Sequence, residues 1–358
     1  IIFFWLIICI QNLFLNNNIT SAGTYGIRAY LGSGGNNFTG NNISSPSNAL
    51  RFESDCNDNI VDSNEITSTT NIGVYIVTGS TENNIFTNNN IKGGTTAFQD
   101  SSVNTNLKLI NNNITATNGW GTIITAGTNV TIINNTIISG TSSDSALGLS
   151  DVNGGVVKGN AINGTAHGIY LYTGTSNVNI SNNNVWGDLG SAASLYAVYL
   201  TQEAKYNRFE NNVLSGFAEE GIYLDDSPNN DFINNNITAG GNAGWTADAG
   251  IYLTYSSNNN FSGNIINNTG GPGVYMSYSD NNTFTNTIFE NNYLGVYAAY
   301  SKLRERDFAN NKIIGTSSAY DYRILGSVAV PTKIYFLNCS YDDDAEYWGV
   351  YTSREQLW

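Results

Sequence analysis

The chain has 358 residues, 28 acidic and 14 basic, for a formal charge of −14 at pH 7. With 41% hydrophobic and only 12% charged residues, apolar side chains suffice for a core, so the composition is not that of a disordered chain. No basic stripe is present to neutralise phosphates or anionic headgroups, which argues against nucleic acid and acidic membranes as partners.

In chain order, the first segment is the apolar run Ile1 to Ile10, within residues 1–15. It is shorter than the roughly 20 residues a spanning helix needs, and it lacks the Met and basic flank of a signal peptide. It reads either as the tail of a targeting or anchor segment or as an apolar strand or cap at the end of a rod. The cap is favoured, because residues 16 onward already repeat. The three cysteines, Cys9, Cys56 and Cys339, are too far apart for a disulfide framework or a metal-binding pair and read as buried thiols.

From residue 16 the dominant signal is self-similarity. An Asn step followed by an inward apolar residue recurs as Asn17-Asn18-Ile19, Asn41-Asn42-Ile43, Asn64-Glu65-Ile66, Asn89-Asn90-Ile91, Asn112-Asn113-Ile114, Asn135-Thr136-Ile137, Asn160-Ala161-Ile162 and Asn183-Asn184-Val185. It continues as Asn211-Asn212-Val213, Asn235-Asn236-Ile237, Asn264-Ile265-Ile266, Asn291-Asn292-Tyr293 and Asn311-Lys312-Ile313. Successive apolar members lie 24, 23, 25, 23, 23, 25, 23, 28, 24, 29, 27 and 20 residues apart, the scatter expected from loop insertions.

Between these steps runs a second anchor, such as Gly73-Val74-Tyr75-Ile76, Gly168-Ile169-Tyr170-Leu171, Gly221-Ile222-Tyr223-Leu224 and Gly250-Ile251-Tyr252-Leu253. A third, such as Asn37-Phe38, Arg208-Phe209 and Asp231-Phe232, precedes the Asn step. Each period therefore holds three short strands. Their alternation points Ile and Leu inward and Tyr outward. Three strands and three turns closing in this length predict one coil of a parallel β-helix, with Asn and Gly at corners that need left-handed backbone and stacked Asn side chains bonding from coil to coil. The predicted fold is all-β, a right-handed three-stranded solenoid of about 13 coils over residues 16–325, followed by an aromatic C-terminal segment, 326–358.

These anchors resemble the parallel β-helix repeat family that includes NosD-like periplasmic proteins, pectin-active lyases and hydrolases, and many archaeal surface proteins. The resemblance covers about residues 16–320 and implies the fold; its repeat is shared by unrelated activities. The stretch Phe336-Leu337-Asn338-Cys339-Ser340-Tyr341 and the closing Ser353–Trp358 are similar to the end of such repeats in archaeal surface proteins, where a further β-rich domain follows.

Glycosylation sequons stand at Asn18, Asn37, Asn42, Asn113, Asn129, Asn134, Asn163, Asn179, Asn236, Asn260, Asn267, Asn281 and Asn338. A repeat reading Asn-Asn-Ile-Thr generates some by accident, yet where Ile points inward the Asn before it points out, as at Asn18, Asn113 and Asn236. For catalysis, Asp225-Asp226 and His167-Gly168 are the nearest features to the carboxylate and imidazole clusters of β-helical hydrolases, and both read better as turn residues. The basic cluster Lys302, Arg304 and Arg306 sits among acids and does not supply a convincing lyase base. Asp55-Cys56-Asn57-Asp58-Asn59 begins like a calcium loop but has Ile60 where Gly is required, and Asp342-Asp343-Asp344 reads as a charged loop. No catalytic residue, metal ligand or cofactor is assigned.

The outward tyrosines Tyr170, Tyr199, Tyr223, Tyr252, Tyr275 and Tyr297 form either a flat surface for sugars or another rod, or a ladder that stiffens the sheet. The expected function is a structural extracellular surface protein, a glycosylated rod in a filament, stalk or S-layer-like assembly with a role in adhesion. The alternative is a carbohydrate-binding or polysaccharide-cleaving module. Self-association is expected, with the apolar first ten residues or the aromatic C-terminal segment, which includes Tyr347 and Trp348, buried against another subunit.

Overall fold

The computed structural model describes residues 4–7, 10–141, 144–187, 195–240, 248–267, 269–303, 307–315, 322–325, 336–340 and 349–351; for 4–7, 322, 325, 336 and 349–351 it describes the backbone alone. Among the described residues there is no helix, and every strand pairing is parallel. Contacts divide the chain into two units, 1–184 and 185–358.

In the first unit each coil carries three strands. One face stacks Tyr25–Tyr30, Asn48–Glu53, Ile72–Glu82, Thr96–Thr105, Thr122–Ile124, Leu147–Ser150 and His167–Tyr172. A second face includes Leu13–Leu15, Asn37–Thr39, Ile60–Asp62, Ile85–Thr87 and Lys108–Ile110. The third face holds seven strands that follow the Asn corner, from Asn18–Thr20 to Ala161–Asn163. Alternation places one residue of each strand in a column on the axis. Ala29, Phe52, Ile76, Ile124, Leu149 and Leu171 fill such a column on the first face, and it includes one charged residue, Asp100.

The second unit repeats the plan. Its first face stacks Tyr196–Leu200, Ile222–Asp225, Ile251–Thr254, Pro272–Ser277 and Leu294–Ala299, and its third face holds five strands from Val213–Phe217 to Lys312–Ile314. Inside it, Phe209, Phe232, Phe261 and Phe284 stack with ring centroids 4.7–4.8 Å apart and planes within 11° of parallel. That spacing is the strand separation itself, so each coil sets one ring against the next, worth about 0.5–1.5 kcal/mol per pair beyond burial.

The corners explain the Asn content. The residue entering the third face has a positive φ, as at Asn88, Asn111, Asn134, Asn211 and Asn234. The next residue is a buried Asn whose Oδ1 accepts from the coil before: Asn41 donates its backbone N–H and its side-chain amide to Asn64 Oδ1 at 2.8 and 3.0 Å. Asn41 also donates to the Phe14 carbonyl at 2.7 Å, so a polar side chain at a sheet-free bend is satisfied in the interior.

Four expectations need correction. At Asn211-Asn212-Val213 the inward residue is Leu214, while Val213 is 44% exposed, because Asn212 and not Asn211 occupies the buried ladder position. At Asn291-Asn292-Tyr293 the inward residue of the coil is Phe289, paired with Ile266, and Thr287 takes the ladder position by donating its N–H to Asn311 Oδ1. Asn292 instead serves another corner, accepting from Thr269. Tyr297, expected outside, is only 4% exposed; it lies against Tyr275 and under the Arg323 guanidinium at 5.1 Å. Cys56 is buried as expected, whereas Cys339 is half-exposed. The apolar N-terminal residues' side chains, and Asp342, Asp343, Asp344, Tyr347 and Trp348, lie outside the described residues.

Candidate functional site

The outward positions of the first face differ between the units. In the second unit the register Tyr199, Tyr223, Tyr252, Tyr275, Tyr297 and Arg323 runs unbroken from strand to strand. Neighbouring rings lie 4.6–5.2 Å apart. Tyr199 and Tyr223 are parallel within 6°, but Tyr252 turns edge-on to Tyr223 at 86° and Tyr297 edge-on to Tyr275 at 81°. Stacked and edge-to-face pairs are both favourable, so the row braces the sheet while Tyr199, Tyr223, Tyr252 and Tyr275 stay partly exposed. Tyr196 adds a further ring, edge-on to both Tyr199 and Tyr223.

A second aromatic row, which sequence reasoning missed, lines the adjoining corner. Tyr255, Tyr278 and Tyr300 stack at 5.4 and 4.9 Å. All three have φ between 48° and 52°, a conformation that is unfavourable for a bulky L-residue, and Tyr255 is 62% exposed. The corner is held from inside by Ser256, Ser279 and Ser301, whose hydroxyls accept the N–H of Ser227, Ser256 and Ser279 at 3.0 Å. The signal was present as Tyr255-Ser256, Tyr278-Ser279 and Tyr300-Ser301, but left-handed tyrosine is too rare to expect from sequence.

Carboxylates border these rings. Tyr196 donates its hydroxyl to Glu219, and burial together with Glu220 and Glu219 raises its pKa. Glu220 is 9% exposed; burial, then Glu219 and Asp248, push its pKa up to about 8. Burial and Asp225 push Tyr223 up to about 12. Asp225 is raised by burial and by Asp226, which occupies a left-handed corner. Glu220 precedes the Ile222–Asp225 strand and Asp225 ends it.

In the first unit the corresponding outward register reads Arg28, Arg51, Tyr75, Gln99, Ile123, Gly148, Tyr170. Glu53 Oε2 bridges Arg28 Nη2 at 2.8 Å and Arg51 Nε at 2.9 Å, and the guanidinium groups lie over Tyr30 at 4.6 Å and Tyr75 at 5.1 Å. Further along, Trp120 stacks on Tyr170 at 6.2 Å; a Cβ at Gly148 would come within 2.3 Å of the indole, so glycine is needed for the ring to lie there. His167 lies 5.6 Å from Tyr170, and burial lowers its pKa to about 4.

The other sequence candidates separate. His167 belongs to the first unit and Asp225 to the second. Lys302 is exposed at a corner, its N–H bound to Asp280 Oδ1, while Arg304 and Arg306 lie outside the described residues. Asp55 and Asp58 are left-handed corner residues, Asn59 belongs to a buried Asn ladder, and among the described residues no group of three His, Cys, Asp or Glu is placed to hold a metal. None of the thirteen sequon asparagines is buried, and Asn18, Asn42, Asn113, Asn129, Asn134, Asn179, Asn236 and Asn338 are exposed. No helix among the described residues is long and apolar enough to cross a membrane.

Residues 174–328 match the family model described as right handed beta helix region. Among solved structures, the chain is similar to the Azotobacter vinelandii mannuronan C-5 epimerase AlgE6 A-module, at 12% identity and a TM-score of 0.60 over 96% of this chain and 91% of that one. It is also similar to the periplasmic alginate epimerase AlgG, at 15% identity and a TM-score of 0.50 over 82% and 77%. The sequence has no match among curated proteins. The parallel coils, the three-strand repeat and these likenesses together make the chain a right-handed parallel β-helix.

Proposed function

We propose that this chain is an extracellular polysaccharide-binding β-helix, and that the aromatic outer face of the second unit is where the polymer lies. The observation that carries this reading is the pair of tyrosine rows, Tyr199–Tyr223–Tyr252–Tyr275 along the strands and Tyr255–Tyr278–Tyr300 at the corner. The same corner is left-handed at Leu31, Ser54, Thr78, Thr173 and Asp226, so the bend belongs to the coil; what is particular to Tyr255, Tyr278 and Tyr300 is that three successive corners carry stacked rings. Two similar structures are epimerases of alginate or mannuronan, which places polysaccharide chemistry on this fold without assigning it to this chain.

The reading is of binding, because what carries it is the pair of ring rows; no carboxylate of this face is assigned a catalytic role. A role in a surface assembly and glycans on the outward sequons are compatible additions to it. The test is binding of the purified chain to immobilised polysaccharides of neutral, amino and acidic type, with Tyr223→Ala and Tyr278→Asn alongside. Binding that drops at least tenfold in both variants, with circular dichroism unchanged, supports the reading. Equal binding by wild type and both variants, or none by wild type, overturns it.

A further inference from the structure

The corner row Tyr255–Tyr278–Tyr300 has a chemistry of its own, independent of what the face binds. Its corners are in register: the N–H of Tyr255 donates to the Ser277 carbonyl at 3.1 Å, and that of Tyr278 to the Ala299 carbonyl at 3.2 Å. Each tyrosine therefore leaves its coil one strand spacing from the next. All three share a left-handed backbone, with φ of 48°, 49° and 52°, which sends their side chains the same way. The rings lie 5.4 and 4.9 Å apart and parallel within 17°. Tyr255 is 62% and Tyr278 43% exposed, so both are open to solvent. Side chains that leave in parallel present like edges to one another. A turn about χ2, a broad torsion, lays neighbouring rings side by side in one plane, with the carbon ortho to one hydroxyl facing that of the next. The ring separation is then close to that of two directly bonded aromatic rings.

Other tyrosines of the second unit lack one part of this arrangement. Tyr206 is exposed and left-handed but has no ring beside it among the described residues. Tyr223 and Tyr252 have rings beside them but are partly covered, and burial holds the hydroxyl protons that a phenol gives up on oxidation.

We propose that Tyr255 and Tyr278 are a site of oxidative crosslinking, joined as dityrosine by a one-electron oxidant such as a peroxidase with hydrogen peroxide. Each phenol loses one electron and its hydroxyl proton, and the two radicals join through a carbon–carbon bond between their ortho carbons. The hydrogens on those carbons then move to the oxygens, which restores both hydroxyls and both aromatic rings. In sum, two electrons and two protons leave the pair and reduce one hydrogen peroxide to two waters. The product ties consecutive coils together covalently at the surface.

Met276, the chain's one methionine, lies between the two tyrosines and is buried. Cyanogen bromide therefore cuts the chain into residues 1–276 and 277–358, and a Tyr255–Tyr278 bond keeps the halves together on a denaturing gel. The experiment treats the full chain, at low concentration, with a haem peroxidase and hydrogen peroxide, restores any oxidised methionine with a thiol, and then cleaves. The joined product, cut at Met276 but two hydrogens lighter than its halves together, is told from uncut chain by mass. It is expected to be at least tenfold more abundant in wild type than in Tyr255→Phe or Tyr278→Phe, which keep the ring and remove the phenol. Tyr206→Phe and Tyr297→Phe should behave as wild type. Wild type that separates as completely as Tyr278→Phe overturns the proposal. So does a joined product that persists in Tyr255→Phe or Tyr278→Phe, or is lost in Tyr297→Phe, because the bond then lies between other rings.

Discussion

Asn235 donates its backbone N–H and its side-chain amide to Oδ1 of Asn264, 29 residues further on, at 2.9 and 3.1 Å, in the same geometry that joins Asn212 to Asn235 across only 23 residues. The longer period is thus absorbed outside the corner, and the ladder keeps its register. Asn235 also donates to the Phe209 carbonyl at 3.0 Å, so one buried side chain ties three coils. Asn235→Leu leaves the N–H of Asn212 and the Phe209 carbonyl without their partners. Each buried group so orphaned costs about 1–3 kcal/mol, and a drop of several degrees in the thermal midpoint is expected. An unchanged denaturation curve would show that the ladder is not stabilising.

Asp100 stands where every neighbour in its column is apolar. Its Oδ1 accepts from the N–H and hydroxyl of Ser102 at 2.9 and 2.6 Å, but burial outweighs these bonds and raises its pKa to about 7. Because the folded value lies above the unfolded one, the neutral acid's relative stability is complete below about pH 4 and is lost progressively as pH rises through about 7. Integrated over roughly three pH units this is on the order of 4 kcal/mol. Asp100→Asn should flatten that slope and raise stability at pH 8; urea melts at pH 5 and 8 that shift in parallel for both proteins would refute the assignment.

Tyr278 tests what a ring contributes at the left-handed corner. Tyr278→Gly relieves a left-handed tyrosine and should raise stability by up to about 1 kcal/mol at this exposed position while weakening polysaccharide binding. A variant that is less stable and binds normally would assign the ring to structure instead.

The outward asparagines make a further expectation. In protein purified from its native source, intact-mass and peptide mass spectra should show glycan on several of Asn18, Asn42, Asn113, Asn129, Asn134, Asn179 and Asn236, which are exposed. Unmodified peptides covering all seven would rule out the expectation.

The fold was legible because a solenoid writes one local rule many times. Asn, Ile and Gly recurring at nearly fixed spacing specify a corner, an inward residue and a bend, and no distant contact is needed to decide them. The errors arose where two Asn-rich corners lie close in sequence. At Asn211-Asn212 and at Asn291-Asn292 composition marks a corner, but only packing decides that Asn212 in the one coil and Thr287 in the other enter the ladder, and hence that Leu214 and Phe289 point inward.

The outward tyrosines at the centre of the strands were readable from period two alone. What the sequence could not decide was which side chains coils of different length bring together on the surface. The burial of Glu220 beside Tyr196 and Tyr223, the bridging of Arg28 and Arg51 by Glu53, and the positive φ of Tyr255, Tyr278 and Tyr300 all depend on register between strands some two dozen residues apart. Local alternation fixes the face a residue occupies; cross-coil register fixes its neighbours, and the chemistry of this face lies in the neighbours.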